Sequence, residues 1–154
     1  MDIRIRIASD KVDIVKNLKE GTDVSGPFKT YADALVFAAT LGASYRKRLP
    51  IDEVSDIAPI RQDAFNQNFG VITGLLAVVE DENPKTLSQE DALEEERIKI
   101  FEEYANSGLE ILKESLKGSI DYSEKLLLIL KGKQNKDENK KSNDLSLSDF
   151  LHRT

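Results

Sequence analysis

The sequence predicts a mostly α-helical fold of about five helices, with one short N-terminal strand and a flexible C-terminal tail. Residues 2–7 read Asp-Ile-Arg-Ile-Arg-Ile, an alternation typical of a strand. Apolar residues then recur at helical spacing from residue 10 to residue 131. Residues 132–143 contain no apolar side chain, and a segment that buries nothing stays disordered. The length of 154 residues suits one domain with an appendage.

The N-terminal strand is amphipathic. Successive side chains of a strand point to opposite faces, so Ile3, Ile5 and Ile7 share one face and Arg4 and Arg6 share the other. The isoleucine face is expected to pack on the core, and the arginine face to remain outside.

Two helices follow the strand, over about residues 10–20 and 31–42, and Thr30 caps the second one. A cationic strand followed by two helices, here residues 2–48, is the layout of a ribbon-helix-helix module, in which paired strands of two chains enter the major groove of DNA. The strand has no partner within its own segment, so this layout requires a homodimer. In the alternative interpretation it is an edge strand whose arginines face water.

Three further helices are predicted, over about residues 59–80, 89–117 and 122–131. Pro59 suits the start of the third helix, because proline is favoured at the first helical position. Gly132 is expected to end the fifth helix.

Small residues interrupt two of these helices. Gly70 and Gly74 are four residues apart in the third helix, and this spacing predicts the close approach of another helix. Asn106-Ser107-Gly108 are poor helix formers in the middle of the fourth helix, and they indicate a bend there.

The chain is thus predicted to consist of a helical domain, residues 1–131, and a segment of residues 132–154 that is a disordered linker with a short docking peptide. In the peptide, Leu147, Phe150 and Leu151 have the i, i+3, i+4 spacing of helical anchors that fill a groove on a partner protein. In the alternative interpretation the peptide folds back on its own domain.

The net charge of −6 is unevenly distributed. Residues 1–50 hold nine basic and six acidic residues, which gives +3. Residues 51–131 hold eight and eighteen, which gives −10, and residues 132–154 hold five and four, which gives +1. This distribution excludes nucleic-acid binding over the whole surface and leaves it open for the N-terminal third.

Arginines on a strand read guanine edges in the major groove. The N-terminal amides of the second helix and the basic connector of residues 46–48 are suited to phosphate. Such a connector is alternatively an ordinary surface loop. The candidate nucleic-acid contacts of this positive third are Arg4, Arg6, Lys29, Thr30, Arg46, Lys47 and Arg48.

Catalytic and metal-binding residues are sparse. The chain has no cysteine, which excludes disulfides, thiolate metal sites and thiol nucleophiles. The only histidine, His152, is two residues from the C-terminus, where packing does not position it for a catalytic triad. Acidic runs such as Glu94–Glu96 and Glu102–Glu103 are interpreted as a solvated face, because adjacent helical residues point in different directions. We therefore predict no enzyme activity, no metal and no cofactor.

The N-terminus lacks the continuous apolar stretch of a signal peptide. No apolar run approaches the roughly 18 residues that a membrane-spanning helix needs. We therefore expect a cytoplasmic protein with no membrane partner.

Two sequence blocks carry a family resemblance. Residues 26–42 read Gly-Pro-Phe-Lys-Thr-Tyr-Ala-Asp-Ala-Leu-Val-Phe-Ala-Ala-Thr-Leu-Gly, and residues 101–112 read Phe-Glu-Glu-Tyr-Ala-Asn-Ser-Gly-Leu-Glu-Ile-Leu. With the Arg-Ile-Arg-Ile opening, they resemble the Dnd system-associated protein 4 family. Its members accompany bacterial gene clusters for DNA phosphorothioation, which replace a non-bridging phosphate oxygen by sulfur and restrict unmodified DNA. The resemblance covers about residues 2–131.

This resemblance implies an accessory role in phage defence, beside proteins that nick, modify or cleave DNA. It implies no catalytic residue and no sulfur transfer by this chain. Two hypotheses follow. In the first, a homodimer binds double-stranded DNA through its basic N-terminal third. In the second, the chain is an adaptor that docks a larger protein of the system through its acidic helical face and its tail, without touching DNA.

Overall fold

The computed structural model describes residues 3–19, 26–57, 59–82, 85, 90–119 and 121–151, with the backbone alone for residue 81 and residues 140–151. Five α-helices and one two-stranded antiparallel sheet form this described part, so the predicted fold class is confirmed. The elements are β1 (Arg4–Ile5), α1 (Val12–Leu18), α2 (Tyr31–Ser44), β2 (Ile60–Arg61), α3 (Phe69–Asp81), α4 (Asp91–Ser115) and α5 (Tyr122–Leu151). The chain divides into two compact units, Met1–Lys117 and Gly118–Thr154.

The core of the first unit is the contact between α2 and α4, where two backbones touch. A Cβ atom added to Gly108 would lie 1.7 Å from the carbonyl oxygen of Ala38, and one added to Gly42 would lie 2.1 Å from that of Tyr104. The predicted bend at residues 106–108 stays a prediction, and these residues have another role. The helix runs through them without a break, since their small side chains serve the approach of α2.

The start of α2 follows the sequence prediction. The Thr30 hydroxyl accepts a hydrogen bond of 3.1 Å from the backbone amide of Asp33, which is the geometry of an N-cap. The helix continues to Ser44, two residues beyond its predicted end at Gly42.

The N-terminal strand pairs within its own chain. Arg4 is opposite Arg61 and Ile5 is opposite Ile60 in an antiparallel register. The prediction that this strand pairs with the strand of a second chain is therefore wrong for this edge of β1, because β2 already occupies it. The sequence did not predict β2, since it assigned residues 59–80 to one helix. Ile3, Ile5 and Ile7 are buried, as predicted.

Helix α3 begins at Phe69, ten residues later than the prediction from Pro59. Pairing with β1 holds residues 60–61 in an extended conformation, and a short 3-10 turn, Gln62–Ala64, follows. The Asn66 side chain then accepts a hydrogen bond of 2.9 Å from the amide of Asn68, which fixes the turn that precedes the helix.

Helix α5 passes Gly132 and reaches Leu151, so its predicted end at Gly132 is wrong. Glycine ends a helix efficiently when it takes a left-handed conformation. Among the described glycines only Gly118 has a positive φ, of 75°. The lysine, glutamine and glutamate residues that follow Gly132 are good helix formers. The division into a domain of residues 1–131 and a segment of residues 132–154 stays a prediction.

Candidate functional site

The middle of α4 buries two adjacent carboxylates. Glu102 is 3% exposed and Glu103 is 8% exposed, although acidic runs were expected to face water. That expectation is wrong for this pair, because α4 is covered on most sides at this level. Buried charges of this kind need partners of opposite sign. Both partners are arginines that the sequence analysis predicted as nucleic-acid contacts.

Glu102 binds Arg6 of the N-terminal segment. The Arg6 side chain donates through Nε to Oε2 at 3.0 Å and through Nη2 to Oε1 at 3.1 Å. The Arg6 backbone amide also donates to Oε2, at 2.8 Å. This bidentate contact raises the pKa of Arg6 above its ordinary value, first through the hydrogen bond and then through the charge of Glu102. The carboxylate thereby satisfies the backbone on the side of the strand that β2 leaves open.

Glu103 binds Arg48, which also reaches the end of α3. Arg48 Nε donates to Glu103 Oε2 at 2.6 Å, and Nη1 donates to Glu80 Oε1 at 2.9 Å. Burial alone would lower the pKa of Arg48, but the hydrogen bonds to both glutamates raise it above its usual value. One guanidinium group therefore links the connector after α2 to two other helices.

Tyr104 completes this network from α4. Its hydroxyl donates a hydrogen bond to Glu80 Oε2. This bond, followed by the charge contact with Arg48, lowers the pKa of Glu80 below its ordinary value. Burial, with the Glu80 carboxylate beside it, raises the pKa of Tyr104 to about 12.

A third cation, which is itself buried, lies nearer the C-terminal end of α4. Lys11 is 1% exposed, and its Nζ atom is 2.8 Å from both Asp10 Oδ2 and Glu110 Oε2. Burial disfavours its charge, but the two carboxylates outweigh this effect and raise the pKa of Lys11. Together the three ion-pair groups fix the N-terminal segment and the connector to α4.

The backbone of the connector is also attached to α4. The Leu49 amide donates to the Glu103 carbonyl oxygen at 3.1 Å. The Asn106 side-chain amide donates to the carbonyl oxygens of Leu49 at 3.1 Å and Pro50 at 3.2 Å. The connector is thus an anchored segment, with Arg46 and Lys47 exposed before the anchor.

The seven candidate nucleic-acid contacts do not form one compact patch. The Thr30 hydroxyl accepts the capping hydrogen bond of α2, and the exposed Lys29 is its neighbour in the sequence. The basic connector is at the other end of α2, about 20 Å away for 14 residues at 1.5 Å each. Arg4 lies in β1 and Arg6 directly after it. Their role in DNA binding stays a prediction.

Arg4 and Arg6 line a cleft of about 460 Å³ between β1 and the first half of α4. Lys99 contributes a third cation, and Glu95, Glu96 and Glu102 contribute three carboxylates. The cleft is therefore balanced in formal charge, which is a poor match for a phosphate backbone.

The other predicted residues are at the C-terminus. Leu147, Phe150 and Leu151 belong to α5 by their backbone, but their side chains lie outside what the structure describes. His152 lies outside the described residues entirely. The docking role of the three apolar residues stays a prediction.

Sequence reasoning missed Glu80, Glu102, Glu103 and Lys11 as the groups that hold the site together. A signal was present, because Glu102 and Glu103 interrupt the dense apolar run Ile98 to Leu112. Charges inside such a run face the core and require buried partners.

The described part of the chain also lacks two features. It contains no cluster of three or more histidine, cysteine, aspartate or glutamate side chains arranged to hold a metal ion. Within the same residues, no helix has the length and apolar character needed to cross a bilayer.

The fold and the site define a small α-helical protein whose central helix holds basic residues of distant segments through buried glutamates. The chain belongs to the family of DNA sulphur modification system-associated protein 4, whose model matches residues 4–150. This match confirms the resemblance seen in the sequence blocks, and it continues to residue 150, beyond the limit near residue 131 that the sequence suggested. The family name describes an accessory protein associated with a DNA sulphur modification system. No curated protein and no solved structure matches the chain.

Proposed function

We propose that this chain is a non-enzymatic, cytoplasmic accessory protein of a DNA sulphur modification system, and that it works as an adaptor for a larger protein of that system. The observation that carries the proposal is the pairing of Arg6 and Arg48 with Glu102, Glu103 and Glu80. Two of the side chains best suited to read or hold DNA are thus paired with glutamates of the same chain, although half of the Arg6 side chain stays exposed.

Magnitudes support this choice. A bidentate arginine contact to a guanine contributes about 1–3 kcal/mol of discrimination. Removing one partner of a buried ion pair costs about 3–5 kcal/mol, because the other charge is left uncompensated. Glu102 and Glu103 are both buried, whereas the Arg6 and Arg48 side chains are 52% and 25% exposed, so water screens part of this cost. Withdrawing an arginine for DNA still leaves a buried carboxylate without its cation, and this loss offsets the gain from the new contact.

The surface that we assign to the partner is the acidic beginning of α4, defined here as the acidic face: Glu90, Asp91, Glu95 and Glu96. All four residues are exposed. The face belongs to the part of the chain that carries a charge of −10, and this excess favours a basic protein surface over DNA. Glu95 and Glu96 are partly compensated by the cations of the cleft, so Glu90 and Asp91 supply the unbalanced charge. The C-terminal residues Leu147, Phe150 and Leu151 supply a second, apolar attachment in this proposal.

Co-purification with the other proteins of such a system tests the acidic face. The variant Glu95→Lys/Glu96→Lys is expected to lose its partner, because both substitutions reverse exposed charges. A matched control, Asp13→Lys/Glu114→Lys, makes the same change of charge at two other exposed positions and is expected to keep the partner. Loss in both variants, or retention in both, would overturn the assignment to this face. Truncation after residue 132 tests the tail separately.

Direct DNA contact is the second candidate, because Arg4, Lys29, Arg46 and Lys47 are exposed. It is tested with duplex DNA over a salt series. The adaptor proposal expects no binding that weakens steeply with salt. Binding with a steep slope, reduced by about one charge in each of Arg4→Ala and Lys47→Ala, would replace the adaptor with a DNA-binding protein.

A further inference from the structure

Helix α3 exposes a straight row of large apolar side chains, which we call the α3 ridge: Val71, Leu75 and Val79. They are 62%, 60% and 59% exposed, and their spacing of four residues places them along one side of the helix. The opposite side, with Phe69, Thr73, Leu76 and Ala77, is buried. Single exposed apolar residues are ordinary, but an aligned row of three on one helix marks an interaction surface.

We propose that a second copy of this chain covers the α3 ridge. In this dimer the two α3 helices pack antiparallel around a two-fold axis that passes between the two Leu75 side chains. The order valine, leucine, valine at equal spacing reads the same in both directions. Val71 of each copy therefore meets Val79 of the other, and Leu75 meets Leu75. A two-fold interface requires this self-complementarity, since both copies present the same patch.

Charge favours the same partner. From Phe69 to Val79 the helix has no charged residue, so two copies approach without like charges along the ridge. The exposed Glu82 follows at the C-terminal end, where the helix dipole disfavours negative charge. Glu80 also lies at this end, but its charge is already paired with Arg48. The first turn holds no acidic residue, and the N-cap residue Asn68 makes no side-chain cap hydrogen bond.

The same charges favour antiparallel over parallel packing of the two α3 helices. An antiparallel pair places each acidic end beside the N-terminus of the other copy, where its negative charge is favourable. With Leu75 on the axis, Glu82 lies opposite Asn68 of the second copy. A parallel pair would bring the acidic ends together and is disfavoured.

A second group of exposed apolar residues, Leu127, Leu128 and Leu130 of α5, is a weaker candidate for self-association. At 100° for each residue these side chains spread around the helix and form no ridge. Their spacing is also not the same in both directions. The α3 ridge is therefore the better surface for a symmetric dimer.

The size of the ridge sets the strength that we expect. Stable interfaces bury about 800 Å² on each partner, and one helix with its flanking residues offers less. We therefore expect a dimer with a dissociation constant in the micromolar range. This dimer leaves β1 paired with β2, and it rests on neither the adaptor role nor DNA binding.

Introduced cysteines test the geometry, because the chain has no cysteine of its own. Under mild oxidation at a concentration above the dissociation constant, Leu75→Cys is expected to cross-link to itself. Val71→Cys and Val79→Cys are each expected to form little disulfide alone and to cross-link when mixed in equal amounts. Stronger cross-linking of Val71→Cys with itself than with Val79→Cys would overturn the antiparallel arrangement.

Light scattering over a dilution series tests the dimer itself. Leu75→Asp is expected to raise the dissociation constant about tenfold or more, with an unchanged circular dichroism spectrum because the side chain is exposed. The matched control is Leu128→Asp, since Leu128 is 57% exposed and lies on α5. A wild-type chain that is monomeric at every concentration, or a control that dissociates the dimer as strongly as Leu75→Asp, would overturn the proposal.

Discussion

Helices α3 and α4 differ in which side chains they bury, since α4 buries charged residues and α3 exposes apolar ones. Helix α4 is rich in acidic residues and buries two of them, Glu102 and Glu103. Helix α3 has no charge before Glu80 and exposes the α3 ridge. The difference teaches that position in the fold, not composition, decides which side chains are buried. Helix α4 contacts α1, α2, α3 and the N-terminal segment, whereas α3 packs on the rest of the first unit with one side only.

The largest effect is expected where α4 touches α2. Gly108→Ala would place a Cβ atom against the Ala38 carbonyl oxygen, a backbone group that has no room to move aside. We expect a loss of about 3 kcal/mol in the free energy of unfolding, measured by urea denaturation. Gly70→Ala on α3 is the matched control, because its Cβ atom would meet nothing within 4 Å. It is expected to gain about 0.5–1 kcal/mol, since alanine restricts the unfolded chain. Equal losses in both variants would erase the contrast.

The next effect concerns the buried charge of α4. Arg48→Ala leaves Glu103 without its cation, and we expect a loss of about 2–4 kcal/mol in the free energy of unfolding. The neighbouring exposed residue provides the control, and Lys47→Ala is expected to change stability by about 0.5 kcal/mol or less. Adding Glu103→Ala to Arg48→Ala should cost less than the sum of the single changes. Additive losses would mean that the two groups are not coupled.

The Tyr104–Glu80 contact predicts a dependence of stability on pH. The pKa of Tyr104 is raised from 10.0 to about 12, so folding favours its protonated form. The associated stability is present below pH 10 and is lost as the pH rises from 10 to about 12, by about 2–3 kcal/mol. The lowered pKa of Glu80 acts in the opposite direction, and its contribution is lost as the pH falls through that lowered value.

Ultraviolet absorbance of tyrosinate, followed with urea denaturation at each pH, measures the alkaline part. Tyr104→Phe is expected to remove this alkaline loss. A loss of the same size in the variant would assign it to lysine and arginine groups instead.

The smallest effect is expected on the exposed side of α3. In dilute solution Leu75→Ala should change the free energy of unfolding by about 0.5 kcal/mol or less. Its neighbour Leu76 is buried, and Leu76→Ala should cost about 2–4 kcal/mol. Thermal unfolding of the two variants compares opposite sides of one helix. A large loss in Leu75→Ala would show that the ridge is already covered.

Local rules predicted much of the fold. The alternating N-terminal strand, the Thr30 cap and the apolar spacing of α2 and α4 were readable because each depends on neighbours in the sequence. The strand β2 was not readable, because residues 60–61 take their conformation from Arg4 and Ile5, more than fifty positions earlier. The spacing of the glycines also failed to predict which of them contacts another helix. Gly70 was expected to approach another helix and is open, whereas Gly108 was interpreted as a bend and touches α2.

The candidate site was harder to predict for the same reason. A pattern shows that Arg6 and Arg48 are cationic, but it does not show that Glu102 and Glu103 will be their partners. Those pairs join positions 96 and 55 residues apart. Charge alone therefore suggested DNA, whereas in three dimensions both arginines bind buried carboxylates of α4.

The backbone contact at Gly108 also has a consequence for synthesis. The nearly uncharged α2 leaves the ribosome 64 residues before the glycine that it packs against. At a synthesis rate of about 5–20 residues per second, the apolar surface of α2 stays without α4 for roughly 3–13 s. Molecular chaperones that bind apolar segments are therefore expected to bind the nascent chain until α4 emerges.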